Sequence, residues 1–245
     1  MREIDNTGER ILLDKETPLM IARHFCAYEF AKDFVTGNKV LDIGCGEGYG
    51  SAFLASLAKD VLGIDYDGKV IDYARSKYHK ENLMFAVMDV ENLGALAQKF
   101  NTICSFQNIE HIRDTYKLLG NISNLLQDNG VFICSTCNIK DASPGSKKPF
   151  NKFHVKEYEA DGFKEMLSEH FNSVEIFGLR RNTALKFNRR LKKIGLFNFL
   201  PARLDPVKRF FAKANCSYFS WTKDNPDNCL DFIAVCRKKK GRLSK

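Results

Sequence analysis

The sequence predicts a Rossmann-like α/β fold, with a seven-stranded, mostly parallel sheet and helices on both of its faces. Short runs rich in β-branched and aromatic residues alternate with longer helical patterns along the chain. A glycine-rich turn follows the first of these runs, at the position where such folds bind ligands. The chain has 245 residues, 44% of them hydrophobic, so it is long enough to bury one large core.

The predicted elements follow one another in a regular order. Short apolar runs bounded by turn residues predict strands at residues 39–43, 60–65, 83–87, 102–106, 130–136, 173–177 and 230–236. Helical periodicity predicts helices at residues 17–35, 51–58, 68–78, 114–126 and 157–170.

This order divides the chain into four segments. Residues 1–36 are expected to form an N-terminal helical cap or lid, and residues 37–178 a ligand-binding Rossmann-like core. Residues 179–229 form a basic helical insert before the last strand, with one or two amphipathic helices broken at Pro201 and Pro206. Residues 230–245 supply the last strand and a basic tail.

The positive charge is concentrated in the insert and the tail. Residues 179–215 contain eleven Lys and Arg residues against one acid, Asp205, and residues 237–245 add six basic residues and no acid. The rest of the chain has 21 basic and 29 acidic residues. Such a local excess predicts an anionic partner, which would be either a membrane surface or a phosphate group held by residues 179–215.

The cellular compartment can be predicted from three features: apolar run length, the N-terminal pattern and the cysteines. No apolar run approaches the roughly 20 residues of a membrane-spanning helix, and residues 1–14 lack the charged-then-apolar pattern of a signal peptide. Several of the eight cysteines lie in apolar runs, as unpaired buried thiols do. We therefore expect a cytoplasmic protein that could associate peripherally with the inner membrane face.

The strongest local motif is the glycine-rich turn at residues 40–51, VLDIGCGEGYGS. Glycines there let the backbone turn tightly and let a ligand approach the chain. The dinucleotide fingerprint G-x-G-x-x-G is incomplete because residue 49 is Tyr, which disfavours a nicotinamide oxidoreductase. The carboxylate of Asp42 would repel a pyrophosphate, but it suits the positively charged groups of S-adenosylmethionine (SAM).

Two more aspartates end the next two strands. Asp65 closes the second strand, where a carboxylate can accept both ribose hydroxyls, and Asp89 closes the third, where it can accept an adenine amino group. Ligands of open α/β sheets bind at the carboxyl ends of the strands. The three aspartates together therefore predict a nucleoside site.

These motifs resemble the cofactor site of class I SAM-dependent methyltransferases. The resemblance lies in residues 40–50, in Gly63-Ile64-Asp65 and in Met88-Asp89-Val90, with later support from residues 105–112 and 129–136. It implies SAM as cofactor, S-adenosylhomocysteine as product, and a class I methyltransferase fold. The cofactor-binding residues that it implies are Asp42, Gly44, Cys45, Gly46, Gly48, Tyr49, Asp65, Tyr66, Asp89, Val90, Phe106 and Gln107.

A finer resemblance is to a bacterial and archaeal subfamily that accompanies glycosyltransferases in cell-surface polysaccharide biosynthesis. It rests on residues 7–10 (TGER), on His24 with Tyr28, on residues 46–51 (GEGYGS) and on residues 151–158 (NKFHVKEY). The chain departs from that subfamily at Cys26 and Ala27, where His and Arg are common, and at residue 137, where Cys replaces Pro. If the Arg of that subfamily binds a carboxylate, this chain must use another residue for it. Cys137 in place of Pro should loosen the loop after the fifth strand.

The candidate catalytic residues follow the fourth and fifth strands. An oxygen acceptor must lose its proton, and a positioned His or carboxylate commonly removes it. We predict His111 as the general base, with His154 second and Glu110 orienting one of the two.

A metal-assisted alternative uses the same three residues. Small-RNA 2′-O-methyltransferases of plants and ubiquinone-pathway O-methyltransferases resemble this chain in a Glu-x-x-Glu-His motif, and the former hold a divalent metal there. Glu110, His111 and His154 would be the ligands here, but Gln107 stands where the first Glu is expected. An amide is a poorer ligand for a hard cation than a carboxylate is, so a divalent metal is the less favoured prediction.

The leading functional prediction is therefore O-methylation of a sugar hydroxyl on a glycan, a lipid-linked glycan or a nucleotide sugar. RNA methylation is the main alternative, because Lys and Arg interleaved with aromatic residues also suit nucleic acid. A quinone or other small-molecule O-methyltransferase and a non-catalytic SAM-binding subunit are further alternatives.

Overall fold

A computed structural model describes residues 10–197 and 199–238, within which the chain forms one eight-stranded sheet. The strands are β1 (Lys39–Ile43), β2 (Asp60–Asp65), β3 (Leu83–Val87), β4 (Phe100–Phe106), β5 (Leu126–Cys137), β6 (Ser173–Arg181), β7 (Phe219–Thr222) and β8 (Asp231–Arg237). The motif at residues 7–9 and most of the basic tail, residues 239–245, lie outside the described residues.

The helices cover both faces of this sheet. They are α1 (Pro18–Val35), α2 (Tyr49–Leu54), α3 (Gly68–Lys77), α4 (Thr115–Leu125), α5 (Ile139–Ala142), α6 (Ala160–Ser168), α7 (Thr183–Ile194) and α8 (Pro206–Ala212), with 3₁₀ turns at Val90–Ala95, Ile109–His111, Cys216–Tyr218 and Pro226–Asn228. Capping side chains begin several of them; the Asp114 carboxylate, for example, accepts the amide of Lys117 at 2.9 Å. Among the described helices, none is both long and apolar enough to cross a bilayer.

The strand order is β3-β2-β1-β4-β5-β8-β6-β7. The first five strands in this order are parallel, whereas β8 runs antiparallel to both β5 and β6. The chain order reverses between β1 and β4, so the loops after these two strands diverge to opposite faces of the sheet. Open α/β sheets bind ligands in the crevice at such a point, outside the carboxyl ends of the strands.

The core lies on both faces because neighbouring residues of the central strands point in opposite directions. In β1, Val40 packs into the cluster formed with α1, α2 and α3, and Leu41 packs into the cluster formed with α4 and α6. Both side chains are fully buried. The Rossmann-like fold class that the sequence predicts is confirmed.

The prediction of seven strands was wrong by one, because β7 lies within residues 179–229. This strand has four residues and pairs only with β6, at the edge of the sheet. Four residues are too few to show the alternation of apolar and polar side chains that identifies a strand, so the sequence predicted only helices in this segment. It contains α7 and α8 as well as β7, and is therefore not a purely helical insert.

The two prolines of this segment have different roles. Pro206 does not break a helix but occupies the first turn of α8. Backbone N–H groups in the first turn have no intrahelical acceptor, so the absence of an N–H in proline costs no hydrogen bond there. Asp205 caps the same turn by accepting the amides of Val207 at 2.8 Å and Lys208 at 3.1 Å. Pro201 lies in the loop between α7 and α8.

Candidate active site

A cavity of about 400 Å³ opens at the carboxyl ends of the parallel strands, where β1 and β4 diverge. Its walls come from α1, from the loops after β1 to β4, and from the start of α4. The lining residues that the sequence analysis singled out for cofactor binding are Gly44, Cys45, Gly46, Tyr49, Asp65, Tyr66, Asp89, Val90, Phe106 and Gln107. The fold therefore brings ten of the twelve predicted residues to one cavity.

The glycine-rich turn forms the floor of the cavity. Gly44 has a φ of +73°, and a Cβ atom there would lie 2.8 Å from the Asn108 side chain, so only glycine fits without strain. The amides of Gly44 and Cys45 both donate to the carbonyl of Ile64, at 2.9 and 3.0 Å. The turn after β1 is thus tied to the end of β2.

Asp65 connects the same turn to the loop after β2. Its carboxylate accepts the amide of Gly46 at 3.1 Å and the amide of Asp67 at 3.0 Å. Burial, the largest influence, raises the pKa of Asp65 in spite of these hydrogen bonds. Arg10 closes this corner, because its guanidinium binds the Asp67 carboxylate at 2.6 Å and lies over the Tyr66 ring.

The third and fourth strands supply the adjoining wall. Asp89 follows β3 and caps the 3₁₀ turn Val90–Ala95 by accepting the amide of Glu91 at 2.9 Å. Gln107 follows β4 with a φ of +49°, which is rare for a residue other than glycine. The backbone N–H of Gln107 donates to the backbone carbonyl of Ser135 at 2.9 Å, and this bond holds the conformation in place.

The two remaining predicted cofactor residues, Asp42 and Gly48, do not line the cavity. Asp42 is fully buried, and its Oδ2 accepts the hydroxyl of Ser51 at 2.6 Å and that of Tyr28 at 3.5 Å. Burial raises the pKa of Asp42 to about 7, and no hydrogen-bond partner for Oδ1 lies within the described residues. Asp42 therefore supports the turn from behind and does not line the cavity, whereas the sequence predicted that it faces the cofactor.

Other lining residues were not among the predicted site residues. Arg10 and Asn108 lie in segments that carry the family resemblance, residues 7–10 and 105–112. Arg113 and Lys117 lie in no such motif and line the cavity just before and within the first turn of α4. His24, noted in sequence only for the subfamily resemblance, also lines it. Burial lowers the pKa of His24 to about 4, so its imidazole is neutral at physiological pH.

Of the three predicted catalytic residues, only His111 lines the cavity. Its Nδ1 lies 3.0 Å from the backbone carbonyl oxygen of Phe153. The ring of His154 meets that of His111 edge to face, with the centroids 4.9 Å apart and the planes at 82°. His154 Nδ1 in turn lies 2.7 Å from Glu157 Oε1.

Glu110 points away from the cavity. Its side chain is buried and accepts the Thr136 hydroxyl at 3.0 Å, and burial raises its pKa to about 8. The prediction that Glu110 orients a catalytic histidine needs correction, because the carboxylate that contacts His154 is that of Glu157. The reason is the short 3₁₀ turn Ile109–His111, which directs neighbouring side chains to different sides.

The predicted metal ligands are also regrouped by the fold. Ligand atoms of Glu110, Cys137 and His154 lie within 4.8 Å of one another, and His111 is not part of this group. None of the three lines the cavity. A metal held by these three side chains would lie outside the lining of the cavity.

The fold and the position of the cavity are those of the class I SAM-dependent methyltransferases, for which SAM is the cofactor. Residues 35–178, more than half of the chain, match the family described as "Methyltransferase domain". The chain belongs to this family. The residues present fit the cofactor, because the cavity at the switch point has a carboxylate, Asp65, beside a turn that admits no side chain at Gly44.

Relatives in sequence support the same class. A Mycobacterium tuberculosis (strain H37Rv) protein described as a probable S-adenosylmethionine-dependent methyltransferase is 31% identical over 182 residues, which are 74% of this chain and 66% of the relative. The chain thus spans just under two thirds of the relative's length. A ubiquinone biosynthesis O-methyltransferase of Coxiella burnetii is 33% identical over 104 residues, covering 42% of this chain and 44% of its own length.

Solved structures share the fold at low sequence identity. The N-methyltransferase NodS from Bradyrhizobium japonicum WM9, in complex with S-adenosylhomocysteine, covers 92% of this chain and 90% of its own, with a TM-score of 0.60 and 14% identity. The match to a SAM-dependent methyltransferase from Mesorhizobium loti covers 90% of this chain and 100% of that protein's chain, with a TM-score of 0.60 and 15% identity. Identities this low speak for the fold alone.

Proposed function

We propose that this chain transfers a methyl group from SAM to a sugar hydroxyl of a glycan, a lipid-linked glycan or a nucleotide sugar, with His111 as the general base. The single observation that carries the proposal is the contact between His111 Nδ1 and the Phe153 carbonyl. A carbonyl oxygen only accepts hydrogen bonds, so Nδ1 must carry the proton. In the neutral imidazole, Nε2 is then the nitrogen whose lone pair can accept a proton.

The neighbouring histidine holds this arrangement in place. His154 packs edge to face on His111 and is itself anchored by Glu157 on one ring nitrogen and by Asn151, 3.0 Å away, on the other. His154 lies outside the cavity wall, so we assign it as a positioning residue for His111. Glu157 takes the orienting role that the sequence analysis gave to Glu110.

Alignment and exclusion of water account for the rest of the expected acceleration. SAM, when bound, supplies the methyl group carried by its sulfonium. The aromatic side chains of Tyr28, Tyr49 and Phe106 line the cavity and would keep water from the reacting atoms. Tyr28 and Phe106 pack edge to face, with ring centroids 4.8 Å apart, which fixes this wall.

Two features support an anionic sugar derivative as the acceptor. Arg113 and Lys117 are exposed cations on the cavity wall, suited to a phosphate group. The segment at residues 151–158, which resembles the polysaccharide-associated subfamily, supplies the Phe153 carbonyl that orients His111. Both features are compatible with a nucleotide sugar or a lipid-linked glycan.

The test is a turnover assay that measures formation of S-adenosylhomocysteine with sugar nucleotides, a lipid-linked glycan extract and total RNA. With a sugar acceptor, His111→Ala should lower kcat by about 100-fold or more, because a general base contributes at least that factor. SAM affinity should be retained. The matched control is His79→Ala, since His79 is exposed and lies on the surface after α3.

RNA methylation remains the second candidate, favoured by the eleven basic residues at positions 179–215. Turnover on RNA with none on the sugar acceptors would replace the sugar proposal. The Coxiella relative's name keeps a quinone-type small molecule among the acceptors to be assayed. SAM binding without turnover on any of these acceptors would favour a non-catalytic SAM-binding subunit.

A further inference from the structure

Helix α7 turns an apolar stripe toward solvent. Leu185 is its buried residue, whereas Phe187 is 58% exposed and Ile194 is 74% exposed. Seven residues make almost two full turns, so Phe187 and Ile194 lie on one stripe, on the side of the helix away from Leu185. An ordinary surface helix has the reverse arrangement, with its apolar stripe packed on the core.

The exposed apolar surface continues beyond the helix. Gly195 ends α7 with a φ of +74°, and in the loop that follows Leu196 is 51% exposed, Phe199 is 79% exposed and Leu204 is 56% exposed. We call these five side chains the apolar ridge; its members are Phe187, Ile194, Leu196, Phe199 and Leu204. Large apolar side chains exposed this close together along the chain are typical of interaction surfaces.

Cations border the ridge. Helical spacing places Lys186, Arg190 and Lys193 along one side of the stripe, and all three are exposed. The one acid of residues 179–215, Asp205, is buried and is used to cap α8. The positive charge beside the ridge is therefore not balanced by an acid from the same segment.

This combination distinguishes between the anionic partners considered for the segment. An apolar stripe flanked by cations is the surface that interfacial helices present to a bilayer, with the apolar side chains among the acyl chains and the cations at anionic headgroups. RNA would pair with the cations and stack on aromatic rings, but it would leave the aliphatic Ile194, Leu196 and Leu204 in water. The ridge therefore fits a membrane better than RNA.

We propose that the apolar ridge and its flanking cations dock this protein on an anionic membrane surface. If the acceptor is lipid-linked, as proposed above, docking would hold the enzyme at the membrane that carries it. The binding itself needs neither SAM nor an acceptor. It can therefore fail while methylation stands, and methylation can fail while docking stands.

The experiment is cosedimentation of the full chain with phosphatidylcholine vesicles, with or without about one third phosphatidylglycerol. Anionic vesicles should bind the protein at least about tenfold more tightly than neutral ones, and added salt should weaken the binding. Ile194→Ser should reduce binding to anionic vesicles several-fold, because it removes apolar surface that would be buried in the bilayer and leaves the charge unchanged. The matched control is Met84→Ser, since Met84 is 69% exposed on the edge strand β3.

A charge variant tests the other half of the proposal. Lys186→Glu with Lys193→Glu should abolish the preference for anionic vesicles. Lys59→Glu with Lys80→Glu, which changes two exposed cations elsewhere, should preserve it. Unchanged SAM affinity and thermal unfolding would show that each variant is folded. Absence of binding to anionic vesicles would overturn the proposal. If the protein instead binds total RNA tightly, and Ile194→Ser leaves that binding intact, RNA is the partner of the basic segment.

Discussion

The phenol oxygen of Tyr28, on α1, lies 3.5 Å from Oδ2 of Asp42, at the end of β1. The contact joins the N-terminal helix to the residue that supports the glycine-rich turn from behind. The Tyr28 ring also occupies the space beside Gly50, since a Cβ atom there would lie 1.9 Å from the ring. The first helix and the cofactor turn are therefore fitted to each other.

Gly50→Ala should destabilise the fold by about 1–3 kcal/mol, because the added methyl group must displace the Tyr28 ring from a packed site. The displacement should also weaken SAM binding, since Tyr28 lines the cavity. Chemical denaturation and SAM titration would measure the two effects. Gly162→Ala in α6 is the control: a Cβ there has no neighbour within 4 Å, so this variant should be neutral or slightly stabilising. Equal stability of the two variants would contradict the packing argument.

SAM affinity should increase as the pH rises from about 6 to about 8, by at most about tenfold per pH unit. Burial raises the pKa of Asp42 to about 7, so part of this carboxyl group is protonated at neutral pH. A cationic ligand favours the ionised form, and binding therefore releases a proton. Calorimetry in buffers of different ionisation enthalpy would detect that proton.

The stability of the ligand-free protein should change in the opposite direction. The pKa of Asp42 in the folded state lies above its ordinary value of 3.8, so its contribution to stability is present at low pH and is lost as the pH rises through about 7. Asp42→Asn should remove both pH dependences. If SAM affinity in that variant still rises over the same pH range, another group is responsible.

Glu157→Gln should lower kcat about tenfold with little change in KM for the acceptor, because the carboxylate acts through His154 and not on the substrate. Glu169→Gln is a suitable control, since Glu169 is exposed just after α6. A rise in KM with kcat unchanged would mean that the residue contributes to acceptor binding instead. Thermal unfolding of both variants would separate a positioning role from loss of structure.

Chelation with EDTA should leave methyl transfer to a sugar acceptor unchanged. The group that could hold a metal, Glu110 with Cys137 and His154, lies behind the cavity wall, whereas His111 faces the cavity. Cys137→Ala should likewise preserve turnover. Loss of activity in EDTA that is restored by added Mn²⁺ or Zn²⁺ would contradict this expectation and favour metal-assisted catalysis.

The fold class and most of the predicted residues that line the cavity could be read from the sequence. Gly44, Asp65 and Asp89 each follow a strand that the apolar pattern predicts, and in a parallel sheet the ends of such strands meet at one edge. Local chemistry was therefore sufficient to place them together. The class I methyltransferase resemblance rested on the same residues and is confirmed, whereas the polysaccharide subfamily stays a proposal.

The direction in which each of these side chains points depends on tertiary packing and could not be predicted from the motifs. Asp42 and Glu110 are in the predicted motifs, yet Asp42 lies beneath the turn and Glu110 points away from the cavity, because neighbouring side chains on a strand or a tight turn point in different directions. The contact of His111 with Phe153 joins residues 42 positions apart. Periodicity reports which residues share a face of one element, but the partner that each face meets depends on how distant elements pack.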